Sequence, residues 1–282
     1  MMSLNEIIMS LELGLIYGIV ALGIFLTFRV IDFPDLTCDG SFVLGSAASS
    51  MIMKAGYSSF LGLSIAILAG SLAGLTTGVL NTRLRIKDLL AGILVAFMLY
   101  SVNLHIMQGM PNITLIGTQT LFTNISPLFI LSFLCFLLWP VFGYLFKTDF
   151  GLALRSLGQN KKLAENTGVN VKNMTLIGLM LSNGLIALGG ALFTQHQGFS
   201  DIGSGIGTVI IGLASVMIGE RLLPQKSLWI QLLSCLLGSI IYRLFITFAL
   251  HSDILGLETQ DLNLMTGVML IGIMIIPRRH SC

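Results

Sequence analysis

Charge is scarce in this chain: 15 Lys or Arg and 13 Asp or Glu make up 10% of 282 residues, against about 25% in a soluble domain. With 55% of residues hydrophobic, that scarcity excludes a soluble globular domain. It also excludes intrinsic disorder, which needs low hydrophobicity and high net charge. A formal net charge of +2 gives no basis for nucleic-acid binding. Cysteine is sparse as well. Cys38, Cys135, Cys235 and Cys282 are widely spaced and form no CxxC or His-rich set, so neither a zinc site nor a disulfide framework is indicated. No G-x-x-x-x-G-K-S/T phosphate loop and no HExxH motif occurs, and no polar stretch is long enough to hold a nucleotide-binding domain. No Lys or Arg precedes Arg29, and the first apolar run is long, which predicts a retained first helix in place of a cleaved signal peptide. What remains is abundant apolar sequence with 31 glycines. The composition is that of an all-α polytopic membrane protein.

A helix crosses the hydrocarbon with about 20 apolar residues. Nine runs qualify as spans: Ile7–Phe28, Leu36–Met53, Ser59–Leu80, Leu89–Met107, Ile125–Phe146, Met174–Thr194, Gly205–Gly219, Leu228–Leu250 and Leu262–Ile276. Basic residues test this count, because loops rich in Lys and Arg stay in the cytoplasm. With the N-terminus outside and the C-terminus inside, 13 of the 15 basic residues are cytoplasmic, from Arg29 through Arg83, Arg85 and Lys87 to Arg278 and Arg279. Only Lys54 falls in an outer loop and only Arg243 within a span. The outer connections Gln108–Asn124, Gln195–Ser204 and His251–Asp261 contain no Lys or Arg.

Two segments share a pattern, Gly40-Ser-Phe-Val-Leu-Gly45 and Gly207-Thr-Val-Ile-Ile-Gly212. Each follows an Asp in a short polar stretch, Asp35 and Asp39 before the first and Asp201 before the second. In the nine-span order they run in opposite directions, as expected of an inverted repeat of four spans, a linking span and four more. The expected division is repeat one over residues 7–107, a linking helix over 125–146, a cytoplasmic segment over 147–172 and repeat two over 174–276, all in one transmembrane domain. Paired Gly-interrupted segments mark two broken helices at a midplane substrate path; the same glycines also serve close helix packing. Both readings stand at this point.

Most informative is Lys147–Lys172, KTDFGLALRSLGQNKKLAENTGVNVK, the long cytoplasmic loop. Asn160 suits an N-cap, Lys161–Thr167 two helical turns, and Gly168 the C′ position. Such a piece either docks on a cytoplasmic partner or is a basic loop that only fixes topology. GLALRSLGQNKKLAENTGVN resembles the coupling segment of ABC-importer permeases of the branched-chain amino-acid/ribose class. Phe150 immediately precedes this stretch and Gln159 lies within it, and Gly151, Ala153, Arg155, Gly158, Asn160, Ala164, Gly168 and Asn170 match its pattern; Ser156 replaces the usual Ala and Lys161 a frequent Pro. Further blocks, among them Arg83–Leu94, Leu99–Leu104, Leu181–Leu192 and Gly205–Ser215, resemble the subgroup described as tryptophan/tyrosine transport permeases. The resemblance implies a permease in the bacterial cytoplasmic membrane that moves a small solute, an amino acid and most readily an aromatic one. It also implies a second permease copy, cytoplasmic ABC ATPase subunits docking on Phe150–Gly168, and an extracytoplasmic solute-binding protein. This chain would then be no enzyme and hold no cofactor, with ATP and Mg bound by the ATPase.

Polar residues in apolar surroundings are the remaining candidates, since lipid penalises them. Asp39, Gly40, Asn103, Ser182, Asn183, Asp201 and Gly207 are candidate path residues. For Asn103, Ser182 and Asn183 the alternative is interhelical hydrogen bonding; Asp39 and Asp201 either gate a broken helix or cap helix starts. Glu12 and Arg243 reach the outer interface, or Arg243 meets an anionic group or Glu12. His105, His196, His251 and His280 show no i,i+4 pair for a metal. Two other classes compete. An ion-coupled secondary carrier of a small neutral solute would need no docking loop, and an intramembrane enzyme would need a catalytic cluster that the sequence lacks.

Overall fold

A computed structural model describes residues 4–224, 227–250 and 262–275. Lys226, Arg278, Arg279, His280, Cys282, the His251–Asp261 connection and the end of the ninth span at Ile276 lie outside them. The described residues form eleven α-helices, a π-helical segment and two three-residue strands. The helices are α1 (Leu4–Phe25), α2 (Thr37–Lys54), α3 (Ser59–Thr82), α4 (Asp88–Ile106), α5 (Pro127–Leu145), α6 (Asp149–Gln159), α7 (Lys161–Asn166), α8 (Val171–Gln197), α9 (Thr208–Leu222), α10 (Leu228–Leu250) and α11 (Leu262–Ile275). Each of the nine apolar runs is helical over most of its length. Among the described residues, six helices are long and apolar enough to cross a membrane: α1 with its π-helical extension, α3, α4, α5, α8 and α10.

α1 and α8 form the centre. Both are buried around most of their circumference, and Leu13, Ile16, Leu22, Leu26, Leu188 and Leu192 belong to one continuous core. Small residues allow the close approach of their neighbours: a Cβ at Gly45 of α2 would overlap the Ala187 backbone of α8. By contrast α5 exposes Phe129, Phe133 and Phe136. These recur at i, i+4 and i+7 on one face. An apolar face turned outward is the pattern of a helix bordered by lipid.

The break between the first two spans has a sequence cause. Pro34 has no N–H and bars the helical conformation from the residue before it. The helix therefore loosens to a π-helix over Leu26–Ile31 and ends at Asp32 in the left-handed region, φ 56°. Residues 32–36 are non-helical, and α2 starts at Thr37. Asp39-Gly40 was expected at the break itself; it lies instead in the first turn of α2, and the break falls just before it. At one end of the bundle, β1 (Asn112–Thr114) pairs antiparallel with β2 (Phe199–Asp201), joining the α4–α5 and α8–α9 connections. Helices α6 and α7 lie at the opposite end.

Candidate functional site

α9 begins inside the bundle. Residues 202–207 descend from β2 as turns, and Gly207, φ 84°, turns the chain into the helix. Its first N–H groups have no helical partner. Asp39 of α2 supplies the acceptor: Val209 N–H donates to its Oδ1 at 2.9 Å and Gly207 N–H to its Oδ2 at 3.3 Å. An anionic group at a helix N-terminus also complements the macrodipole. Asp39 therefore caps the start of α9 from another helix, and the opening glycines of the two matching motifs, Gly40 and Gly207, lie on either side of this contact. Two residues on from Asp39, Ser41 donates to Asn183 at 2.7 Å, near the middle of α8. The contact is thus about halfway through the bundle.

A cavity of about 530 Å³ opens beside it, walled by α2, α4 and the 202–206 turn. Asp39, Gly40 and Asn103 line it together with Phe97, Tyr100 and Ile206. Asn103 is 1% exposed and donates from Nδ2 to the Gly40 carbonyl at 3.1 Å. The opposite side of the same motif is a closed polar network. Asn183 donates to Asp35 Oδ2 at 2.7 Å and to the Leu179 carbonyl at 3.1 Å. Asp35 Oδ1 in turn accepts from the Thr37 N–H at 2.8 Å, at the start of α2. Ser182 donates to the Gly23 carbonyl of α1 at 2.7 Å. Ser182 and Asn183 are fully buried between helices and do not line the cavity. Asp201 accepts from Gly203 N–H at 2.7 Å and Asn112 Nδ2 at 3.3 Å, tying the turn to β1.

The predicted coupling residues lie together at the α6–α7 end. Thr148 caps α6, accepting from Gly151 N–H, and Asn160 caps α7, accepting from Leu163 N–H at 3.1 Å. Gly168 follows α7 with φ 88°, the left-handed conformation expected past a helix end. The sequence placed a helix only over Lys161–Thr167; the structure adds α6 before it, with Gly158 inside. Glycine suits that position because a side chain there would overlap the Val30 carbonyl of the π-helical segment. Leu154 and Leu157 are buried in the core that Phe150 also packs against, and Gly151 and Ala164 are buried. Gln159 and Asn160 are exposed, and so are the large apolar Leu152 and Leu163. Lys161 of α7 pairs with Asp88 at 3.5 Å, at the start of α4. Arg155 is partly exposed on α6.

Compared with known proteins, residues 6–276 match the model of the family described as branched-chain amino acid transport system / permease component. The chain belongs to this ABC-transporter permease family. Over 272 residues the permease is 39% identical to the tyrosine transport system permease protein of Clostridioides difficile, covering 95% of this chain and 90% of the relative. It is 34% identical over 277 residues to an uncharacterized protein of Rickettsia prowazekii, covering 95% and 96%. The autoinducer 2 import system permease protein LsrC of Photorhabdus laumondii is 25% identical over 239 residues, covering 82% of the permease and 69% of the relative. No solved structure matches. Family and helix composition make the permease a multi-pass protein of the cytoplasmic membrane and a transport subunit.

Two features of the permease were not legible beforehand. Asp35 was seen only as an Asp near a motif, yet it holds the start of α2 to α8; its position directly after Pro34 was the available signal. Glu12 pairs with His196 at 2.8 Å, across 184 residues, and the Phe122 ring packs nearly perpendicular to the imidazole. No local spacing announces such a pair.

Proposed function

We propose that the permease moves a small solute, most readily an aromatic amino acid, by alternating access between two copies of itself. In this reading the α6–α7 end faces the cytoplasm and the β1–β2 end faces outward. The nine helical runs cross or enter the membrane with the N-terminus outside, as two inverted repeats joined by α5. α2 and α9 are the broken pair. The observation that carries the reading is the attachment of both cavity walls to the docking segment. α6 packs on the π-helical segment that leads through residues 32–36 into α2, while α7 pairs with Asp88 at the foot of α4. A displacement of α6 and α7 therefore reaches the walls that carry Asp39 and Asn103.

The same reading assigns the partners. Leu152 and Leu163 are large apolar side chains exposed beside charged residues at this end, which supports a protein-docking surface there. Cytoplasmic ATPase subunits, holding ATP and Mg, would seat there. A partly buried carboxylate at mid-depth is costly against lipid. The open side of the cavity, with Phe97, Tyr100 and Ile206 exposed at its rim, is therefore covered by the second permease copy. An extracytoplasmic binding protein would deliver the solute at the β1–β2 end. The tyrosine cargo rests on the name of the C. difficile relative.

The test is reconstitution of the permease with its ATPase and binding protein in proteoliposomes. Labelled L-tyrosine accumulates when ATP is inside the ATPase compartment and not when it is withheld. Uptake that follows an ion gradient without the ATPase would replace this reading with a secondary carrier.

A further inference from the structure

We infer that the groove between α3 and α5 binds an anionic phospholipid, with Lys54 at its head-group phosphate and an acyl chain on the apolar wall below. The site itself needs only membrane residence. Its placement in the outer leaflet rests on the orientation proposed above.

The groove arises from how the helices pack. α5 packs on α1 and α10, whereas α3 packs on α8, α2 and α4. Between α3 and α5 there remains a groove of about 1060 Å³, as large as the largest small-molecule sites. Residues 117–124 close its polar end and are held there. Ser59 Oγ donates to the Gln119 carbonyl at 2.7 Å, and the Leu121 N–H donates to Gln195 Oε1 at 3.2 Å. The polar rim is therefore built before any ligand arrives.

The lining is graded. Lys54, Tyr57, Thr118 and Asn124 line the end where α3 and α5 begin, while Leu63, Phe129 and Phe133 line the part below. Phe133 lies about 9 Å along α5 from Pro127, at 1.5 Å per residue. Both helices are long and apolar enough to cross the membrane, so their first turns lie near its surface. Tyr57 is exposed there, and tyrosine is enriched at head-group level. Phe129 and Phe133 are exposed on the lipid-bordered face of α5, so the groove opens to the bilayer. A phospholipid carries the same grading, a polar head above an apolar chain.

Lys54 selects the head group. It is exposed and forms no ion pair among the described residues. Its long side chain can lie along the groove with the ammonium at the surface. No Asp or Glu lines the groove among the described residues, so the rim attracts an anion with nothing to oppose it. A phosphatidylglycerol-type head, with a net negative charge, is favoured over a zwitterionic choline head.

Fluorescence quenching tests this. The permease–ATPase assembly carrying Phe133→Trp, one ring for another at an exposed position, is purified in detergent. It is titrated with phosphatidylglycerol or phosphatidylcholine bearing brominated chains, and the quenching beyond that of the unsubstituted assembly is read. Half-maximal quenching by phosphatidylglycerol is expected at a concentration about fivefold lower, the worth of one basic residue beside an anionic lipid. Lys54→Gln removes that preference. Glycerol phosphate, a head without a chain, leaves the quenching unchanged. Equal concentrations for the two lipids, or a preference that survives Lys54→Gln, overturns the inference. Displacement of the lipid by L-tyrosine or by glycerol phosphate also overturns it. Native mass spectrometry of the assembly without the tryptophan reads the same preference as retained lipid, should Phe133→Trp fail to assemble. Lys54→Cys, labelled in intact cells by an impermeant maleimide, checks the leaflet. Labelling only after permeabilisation would refute the proposed orientation and leave the lipid preference to stand or fall by the quenching.

Discussion

Asp39, in the first turn of α2, accepts the Val209 N–H that opens α9, so one carboxylate joins the beginnings of two helices that lie 170 residues apart in the chain. The pair defines the centre of the permease: α9 cannot move away from α2 without exposing its first N–H groups to an apolar interior. Removing the acceptor should therefore be felt both in stability and in transport.

Asp39→Ala is expected to destabilise the start of α9 by about 1 kcal/mol, the usual cost of a lost cap. Solute uptake in proteoliposomes should fall at least about tenfold by the same loss of positioning. Asp39→Asn keeps an acceptor and should lie between the two. Thermal unfolding of the purified permease, read beside uptake, checks this. Normal uptake by the alanine variant would remove Asp39 from the moving parts.

Gly158 tests transmission from the α6–α7 end, the proposed docking surface. A side chain there collides with the Val30 carbonyl, so Gly158→Leu should push α6 off the π-helical segment while leaving membrane insertion intact. ATP hydrolysis by the assembly is expected to persist while uptake falls. Arg155→Glu, on the exposed side of α6, should weaken ATPase association instead, which co-purification would detect. If both variants transport normally, α6 is not the coupling element.

Asn183 holds the Asp35 carboxylate, and both side chains are fully buried. Asn183→Leu should leave Asp35 without that donor and destabilise the permease by about 1–3 kcal/mol, the cost of stranding a buried polar group. Ser182→Ala removes only one hydroxyl bond to a carbonyl, and about 1 kcal/mol is expected. Midpoints of thermal unfolding in one detergent rank the two; the reverse order would contradict the network.

Arg29, at the π-helical end of α1, pairs with Glu220 near the end of α9. Arg29→Glu and Glu220→Arg should each impair uptake, and the two together should recover part of it, as a double-mutant cycle measures. Recovery would show that the pair links the docking end to α9. Strictly additive losses would show that it does not.

Much of the architecture could be read without coordinates. Long apolar runs specify helices, because an unpaired backbone group in hydrocarbon costs too much for any other conformation. Each of the nine runs is helical over most of its described length, and the Asn160 side chain and the left-handed Gly168 bound α7 as expected. α6 was harder. No helix was expected in the loop before Lys161, and only the contact with Val30 explains the glycine inside α6.

The chain's own order of residues determined that this is a helical membrane protein and where its nine apolar helices lie. Those properties depend on composition, periodicity and local capping, which act over a few residues. Tertiary structure decided which polar residues meet. Asp39 with α9, Asp35 with Asn183, Glu12 with His196 and Asn103 with the Gly40 carbonyl all depend on helices brought together from distant parts of the chain. Sequence spacing carries no distance between such helices, so the same polar residue reads equally as packing or as pathway until its neighbours are known.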